Sequence, residues 1–188
     1  MGYALMSMRR FISTAALASL MSVSSPVTTS LAQESDADES SLLGRGFASI
    51  AAGDHEDAIR AFREAVALAP SRPDAVCYLA EAQQISGDHE AALEAYRSCV
   101  RIARTASDPR WIARGLHGVA STLEQMPTRL LEARSAWQEY VVFADGAVVH
   151  ASPMLGRTRI TVIDQVIELE RVMVDVRARI HARAQRTH

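Results

Sequence analysis

Apolar residues recur along this chain at intervals of three and four, the spacing of helices that bury one face. Leu42, Leu43, Gly46, Phe47 and Ile50 form the first stripe, and Gly53 ends it. Asp54 stands where a helix needs an N-cap, ahead of a second stripe of Ala58, Ile59, Phe62, Ala65 and Val66 that closes at Pro70. Pro73 suits a helix start, and the helix it opens carries Leu79, Ala80 and Ile85 before a second Gly-Asp turn at Gly87 and Asp88.

The two halves of this pattern are one unit written twice. Gly53, Asp54, His55, Glu56, Ala58, Phe62 and Ala65 are matched by Gly87, Asp88, His89, Glu90, Ala92, Tyr96 and Cys99, each 34 positions later, and the same offset relates Gly46 to Ala80. A fixed offset without slippage marks one supersecondary unit used again. Gly46, Ala58, Ala80 and Ala92 fall where two helices must come close, so a larger side chain there overpacks the contact. Ala133, Trp137 and Tyr140 repeat the spacing of Ala92, Tyr96 and Cys99 at an offset of 41, which makes a divergent third unit. Its seven additional residues are expected around the "TASDPRW" turn or in the helix after Pro109.

The 34-residue period, with its small residue, Gly-Asp turn, alanine, aromatic, alanine and closing proline, resembles the tetratricopeptide repeat family. Two details depart from that pattern: the first helix of the first unit lacks an aromatic where the family often has one, and Arg104 stands where a closing proline belongs. The resemblance implies an all-α fold, a right-handed solenoid of about three helix-turn-helix repeats over residues 42–72, 73–106 and 107–144, capped by a long C-terminal helix. It implies a concave face, lined by the first helix of each pair, that holds an extended or helical peptide of another protein. Carried onto this chain, the floor would be Leu43, Phe47 and Ile50, then Cys77, Glu81 and Gln84, then Gly118, Thr122 and Gln125. The packing positions are Gly46, Ala58, Phe62, Ala65, Ala80, Ala92, Tyr96, Cys99, Ala133, Trp137 and Tyr140. Some family members clamp a C-terminal carboxylate with lysine and asparagine. This chain has neither residue, and arginine would have to substitute.

Beyond the repeats, residues 152–186 read as one helix. Val162, Val166, Leu169, Met173, Val176 and Ile180 step by alternate fours and threes, a heptad seam, and Ile160, Ile163, Ile167 and Val174 widen it. The expectation is a capping helix laid along the last repeat, since a solenoid end must be covered. The alternative is self-association, two copies dimerising through the seam.

The N-terminal stretch adds a location. Arg9 and Arg10, an apolar run from Phe11 to Val23, and small residues at Ser30 and Ala32 have the form of an export signal over residues 1–32, with cleavage before Gln33. Residues 33–41, acidic and free of aromatics, then read as a flexible tether. The expected location is export, to the periplasm. Membrane contact is not expected after cleavage. The leader removes two arginines and no acid, so 18 cations face 22 anions and the remainder carries −4. That balance gives no electrostatic reason to bind nucleic acid.

Composition removes several chemistries. Every one of the 20 cationic side chains is arginine. A chain without lysine has no phosphate-loop lysine and no Schiff-base chemistry. His55-Glu56 and His89-Glu90 lack a second histidine four residues on, so the zinc-protease pattern is absent, and no metal or other cofactor is expected. There is no GxSxG, no glycine-rich phosphate loop and no calcium loop, and the chain is not expected to be an enzyme. His181 and His188, with Arg177, Arg179, Arg183 and Arg186, form a cationic helix end. Cys77 and Cys99 are either bridged, as an exported chain permits, or two small core residues. They are not a CxxC redox pair.

Overall fold

In the computed structural model the described residues are 26–146 and 151–185, with side chains described from Asp38 onward. Their regular elements are helices throughout: α1 (Pro26–Ala52), α2 (His55–Leu68), α3 (Pro73–Ser86), α4 (His89–Thr105), α5 (Pro109–Glu124), a short 3-10 turn (Pro127–Arg129), α6 (Leu130–Gly146) and α7 (Pro153–Gln185). Each helix packs on the next in the chain, and α3 also meets α5. The helices therefore form a series of hairpins, α1/α2, α3/α4 and α5/α6, stacked as a helical solenoid, with α7 laid on α6.

Local chemistry fixes the helix ends. Gly53 and Gly87 adopt φ of 79° and 88°, a left-handed conformation that glycine takes without a Cβ clash. The next residue caps the following helix: the Asp54 carboxylate accepts from the Asp57 amide at 2.9 Å, and Asp88 from the Ala91 amide at 3.2 Å. Between the second and third hairpins Ser107 is left-handed, with φ of 53°, and Asp108 caps α5 by accepting from the Arg110 and Trp111 amides. The seven extra residues of the third unit divide among three places. Two precede α5, two lengthen it relative to α3, and three form the 3-10 turn.

The core is made of small residues from one helix holding large ones from the next. Ala58, Phe62, Ala65, Ala80, Ala92, Cys99 and Ala133 have no exposed surface, and Gly46, Tyr96, Trp137 and Tyr140 are also buried. A Cβ on Gly46 would stand 2.4 Å from the Phe62 ring, and one on Gly118 would stand 2.3 Å from the Tyr96 ring. Those glycines let an aromatic side chain lie directly on a neighbouring backbone. Burying each such ring is worth about 1.5–3 kcal/mol. Cys77 and Cys99 are joined by a disulfide between α3 and α4, with Cα atoms 5.4 Å apart.

Three expectations need correction or fall outside what is described. Residues 33–41 are not a tether: they lie inside α1, where Glu39 is buried and meets Arg72, just ahead of α3, at 2.9 Å. That contact ties the end of the acidic stretch to the residue that precedes α3. Residues 1–25 of the expected leader lie outside the described residues, whereas 26–32 belong to α1. Lastly, α7 caps the solenoid only with its first half. Gly156 and Ile163 are buried and Ile160 and Ile167 half-buried, but every described residue from Glu168 onward is exposed. No helix among the described residues is long and apolar enough to cross a membrane.

Two stability measurements follow. Gly46→Ala is expected to lower unfolding free energy by about 1–3 kcal/mol through overpacking against Phe62. Gly44→Ala, two residues away with nothing within 4 Å of its added methyl, should raise it by roughly 0.5–1 kcal/mol. Urea midpoints of the two variants provide the comparison. Breaking the disulfide with reductant, which frees 22 residues of sequence separation, should cost about 3 kcal/mol on a chain-entropy estimate. Denaturation with and without reductant, against a Cys77→Ala/Cys99→Ala control, measures it.

Candidate functional site: the face of the first helices

The first helices of the hairpins, α1, α3 and α5, place a line of aromatic rings side by side. Phe47 from α1 stands edge-on to Tyr78 of α3, centroids 4.7 Å apart, and Tyr78 stands edge-on to Trp111 of α5 at 5.3 Å. Phe47 is 44% exposed, and Tyr78 is half-buried. Edge-to-face contacts at these separations each add about 0.5–1.5 kcal/mol beyond burial alone. The line therefore holds its own geometry while leaving one ring open to solvent.

Cations lie over this row. The Arg114 guanidinium carbon sits 5.2 Å from the Tyr78 ring centre and 5.4 Å from that of Trp111, and Arg110 sits 5.8 Å from Trp111. Arg114 also donates from Nε and Nη2 to the two oxygens of Glu81, at 2.6 and 2.8 Å. That paired hydrogen bond raises the Arg114 pKa above its ordinary value and orients the plane of the guanidinium. Behind it, Tyr96 donates to Gln84 Oε1 at 3.0 Å and Gln84 donates to Ser121 Oγ at 3.3 Å, a chain linking α4, α3 and α5. Burial, with the Glu81 charge adding to it, pushes the Tyr96 phenol well above the usual range.

Toward α7 the face becomes a cleft of about 440 Å³ lined by His117, Ser121, Glu124, Trp137, Leu155 and Arg159. Glu124 accepts from Trp137 Nε1 at 3.0 Å and from Arg159 Nε at 3.1 Å, with Arg159 Nη2 as a further donor. His117 stands edge-on to the rings of Trp137 and Tyr140, at 5.3 and 5.8 Å. Burial among these rings lowers its pKa, with Arg114 adding in the same direction and Glu81 opposing. A larger cavity, about 870 Å³, opens on the other side of α5 between α4 and α6. Arg104 and Glu139 both line it and pair with each other at 2.7 Å.

The expected floor is therefore only partly a floor. Phe47, Glu81, Gln84 and Gln125 line the face, and Leu43 and Ile50 are half-buried against the Phe62 cluster beside it. Cys77, Gly118 and Thr122 are buried: Cys77 is in the disulfide, Gly118 lies under the Tyr96 ring, and Thr122 has no exposed surface. Tyr78, Trp111, Arg114 and His117 were not among the expected residues. A sequence signal for the first three exists, since Tyr78 to Trp111 and Glu81 to Arg114 are both 33 apart, close to one repeat length. Among the described residues, no three His, Cys, Asp or Glu side chains converge as a metal site.

Residues 49–113, from the end of α1 to the start of α5, match the family model of the tetratricopeptide repeat. That segment, about a third of the chain, is a tetratricopeptide-repeat region. Solved structures share the chain's helical-repeat fold. The Sgt2 tetratricopeptide domain of Aspergillus fumigatus superposes with a TM-score of 0.54 at 21% identity, covering 69% of this chain and 79% of that one. The first such domain of Spaghetti (RPAP3), bound to the HSP90 peptide SRMEEVD, gives 0.56 at 13% identity over 70% of this chain and 96% of its own. The type III secretion translocator chaperone SycD of Yersinia enterocolitica gives 0.56 at 19% identity, over 71% and 93%. No curated protein matches. At these identities the neighbours establish the helical-repeat fold and nothing about a partner.

His117 makes stability pH-dependent in a stated direction. Its folded pKa lies below the unfolded value of about 6.5, so the unfolded chain binds the proton more readily. Stability is full above that value and falls as the pH drops through it toward the folded pKa. Melting temperature should therefore decline as the pH falls below about 6.5, and His117→Gln should flatten that limb of the profile. An unchanged limb in the variant would assign it to other groups.

Proposed function

We propose that this protein is a non-catalytic interaction scaffold of the bacterial cell envelope, docking a peptide or helix of another protein on the face of α1, α3 and α5. One observation carries the reading: the open edge of Phe47 continues an internally braced row of rings, with Arg110 and Arg114 beside it. Rigid aromatic and arginine side chains are those from which binding hot spots are built. The Glu81 carboxylate engages Arg114, while Arg110, 4.0 Å from Asp108, has 78% of its side chain exposed. The matching ligand is an apolar side chain seated on Phe47, with an acidic group toward Arg110.

The peptide-bound neighbour supports this use of the fold, since its HSP90 segment, SRMEEVD, is rich in acids. Here arginine, with no lysine or asparagine available, would provide the cationic contact. Export to the periplasm is supported by the form of residues 1–32 and by the Cys77–Cys99 bridge, which an oxidising compartment preserves.

Peptides selected on the purified chain from a displayed library, then titrated by fluorescence anisotropy, test the face. Phe47→Asp should weaken them at least about tenfold, the loss expected of a hot-spot side chain, with helicity unchanged by circular dichroism. Leu131→Asp, on the opposite cavity, should leave affinity intact. Equal affinity in Phe47→Asp would reject the face. Fractionation of cells expressing the chain should recover it in the periplasm with Gln33 at its N-terminus; recovery in the cytoplasm would reject the location.

A further inference from the structure

The second half of α7 leaves an apolar stripe uncovered. Val162, Val166, Leu169, Met173, Val176 and Ile180 are 38–63% exposed. The face that α7 buries against α6 is a different one, carrying Gly156, Ile160, Ile163 and Ile167. At 3.6 residues per turn the two stripes lie about 130° apart around the axis. The heptad seam therefore points away from the body of its own chain. From Glu168 to Gln185 the helix has no buried residue, although an isolated helix of that length is marginal in water.

The charges beside the seam identify what covers it. Within this stretch Glu168 pairs with Arg171 at 2.7 Å, and Asp175 pairs with Arg179. The side chains of Glu170 and Arg177 form no ion pair or hydrogen bond among the described residues. With Val166, Met173 and Ile180 at a positions and Leu169 and Val176 at d, Glu170 and Arg177 both occupy e. In an antiparallel pair the e positions of the two helices face each other. One register sets Met173 against Val176 and Leu169 against Ile180 of the other copy, each contact occurring twice. That same register sets Glu170 of each helix against Arg177 of the other. A parallel pair faces e with g: Glu170 then meets Gln165, Arg177 meets Val172, and the arginines near the two C-termini crowd together.

We propose that two copies of this chain associate through an antiparallel coiled coil of α7, residues 166–183, closed along one flank by two symmetry-related Glu170–Arg177 ion pairs. The paired segment is about 27 Å long. It holds the two repeat domains at opposite ends and leaves both Phe47 faces free, so the protein presents two docking faces from one rod.

Sedimentation of the full chain should give a dimer at micromolar concentration, and Leu169→Glu/Met173→Glu should give a monomer with unchanged melting of the repeats. Glu170→Arg alone and Arg177→Glu alone should each weaken the dimer about tenfold, replacing two attractive flank contacts by repulsive ones. The double exchange, Glu170→Arg/Arg177→Glu, should restore it. For direction, a mixture of Leu169→Cys and Ile180→Cys chains should crosslink as a heterodimer on mild oxidation, and Leu169→Cys alone should not. A monomer at about 100 μM, where even a micromolar dimer would be fully formed, would overturn the proposal. So would failure of the double exchange to restore the dimer, or self-crosslinking of Leu169→Cys.

Discussion

Everything in this structure depends on how closely one helix backbone approaches the next. Four glycines in helices mark the contacts. Gly46 admits the Phe62 ring, Gly115 admits Val100, Gly118 admits Tyr96 and Gly156 admits Val141, each at a distance where a methyl group would collide. Alanines with no exposed surface serve the same end at positions 58, 65, 80, 92 and 133. Interiors packed at this density transmit a misfit rather than absorb it. The spacing of the helices, and hence the face their outer residues compose, is set by side chains that are nearly absent.

That constraint explains the division of labour among the aromatics. Phe62, Tyr96, Trp137 and Tyr140, from the second helices, are spent inside the contacts. Phe47 and Tyr78, from the first helices, are held on edge in a row with Trp111 and retain open surface. The Glu81–Arg114 fork and the Tyr96–Gln84–Ser121 chain then fix polar groups across the same hairpins. Stacking and ordered polar contacts stiffen the face, which would reduce the entropy lost by a partner docking on it. The last helix shows the converse: where no further hairpin stacks, its outer stripe stays open.

Much of the fold was legible because the repeat is local. Gly-Asp turns, a 34-residue offset and the alternation of tiny and aromatic residues are readable without knowing any long-range contact. The face was less legible, for a reason of register. The offset of 41 holds between the second helices α4 and α6, but three of the seven extra residues lie after α5. In the expected floor Gly118, Thr122 and Gln125 stand that same 41 positions after Cys77, Glu81 and Gln84, whereas Glu81 and Gln84 meet Arg114 and Ser121. Cys77 erred by a residue of phase, since its neighbour Tyr78 takes the outward position. The acidic stretch before α1's apolar stripe carried no periodic signal, so the contact of buried Glu39 with Arg72 could not be read from it. Along α7, both stripes were visible in the sequence; which one met α6 depended on Gly156 and Ile163.

The most direct test of the central claim is a double-mutant cycle between Gly118 and Tyr96, read by urea denaturation. If backbone-to-ring contact sets the helix spacing, Gly118→Ala destabilises the parent chain but is neutral or stabilising once Tyr96→Leu has removed the ring, giving a coupling energy of about 1–3 kcal/mol. An equal cost of Gly118→Ala in both backgrounds would contradict the account.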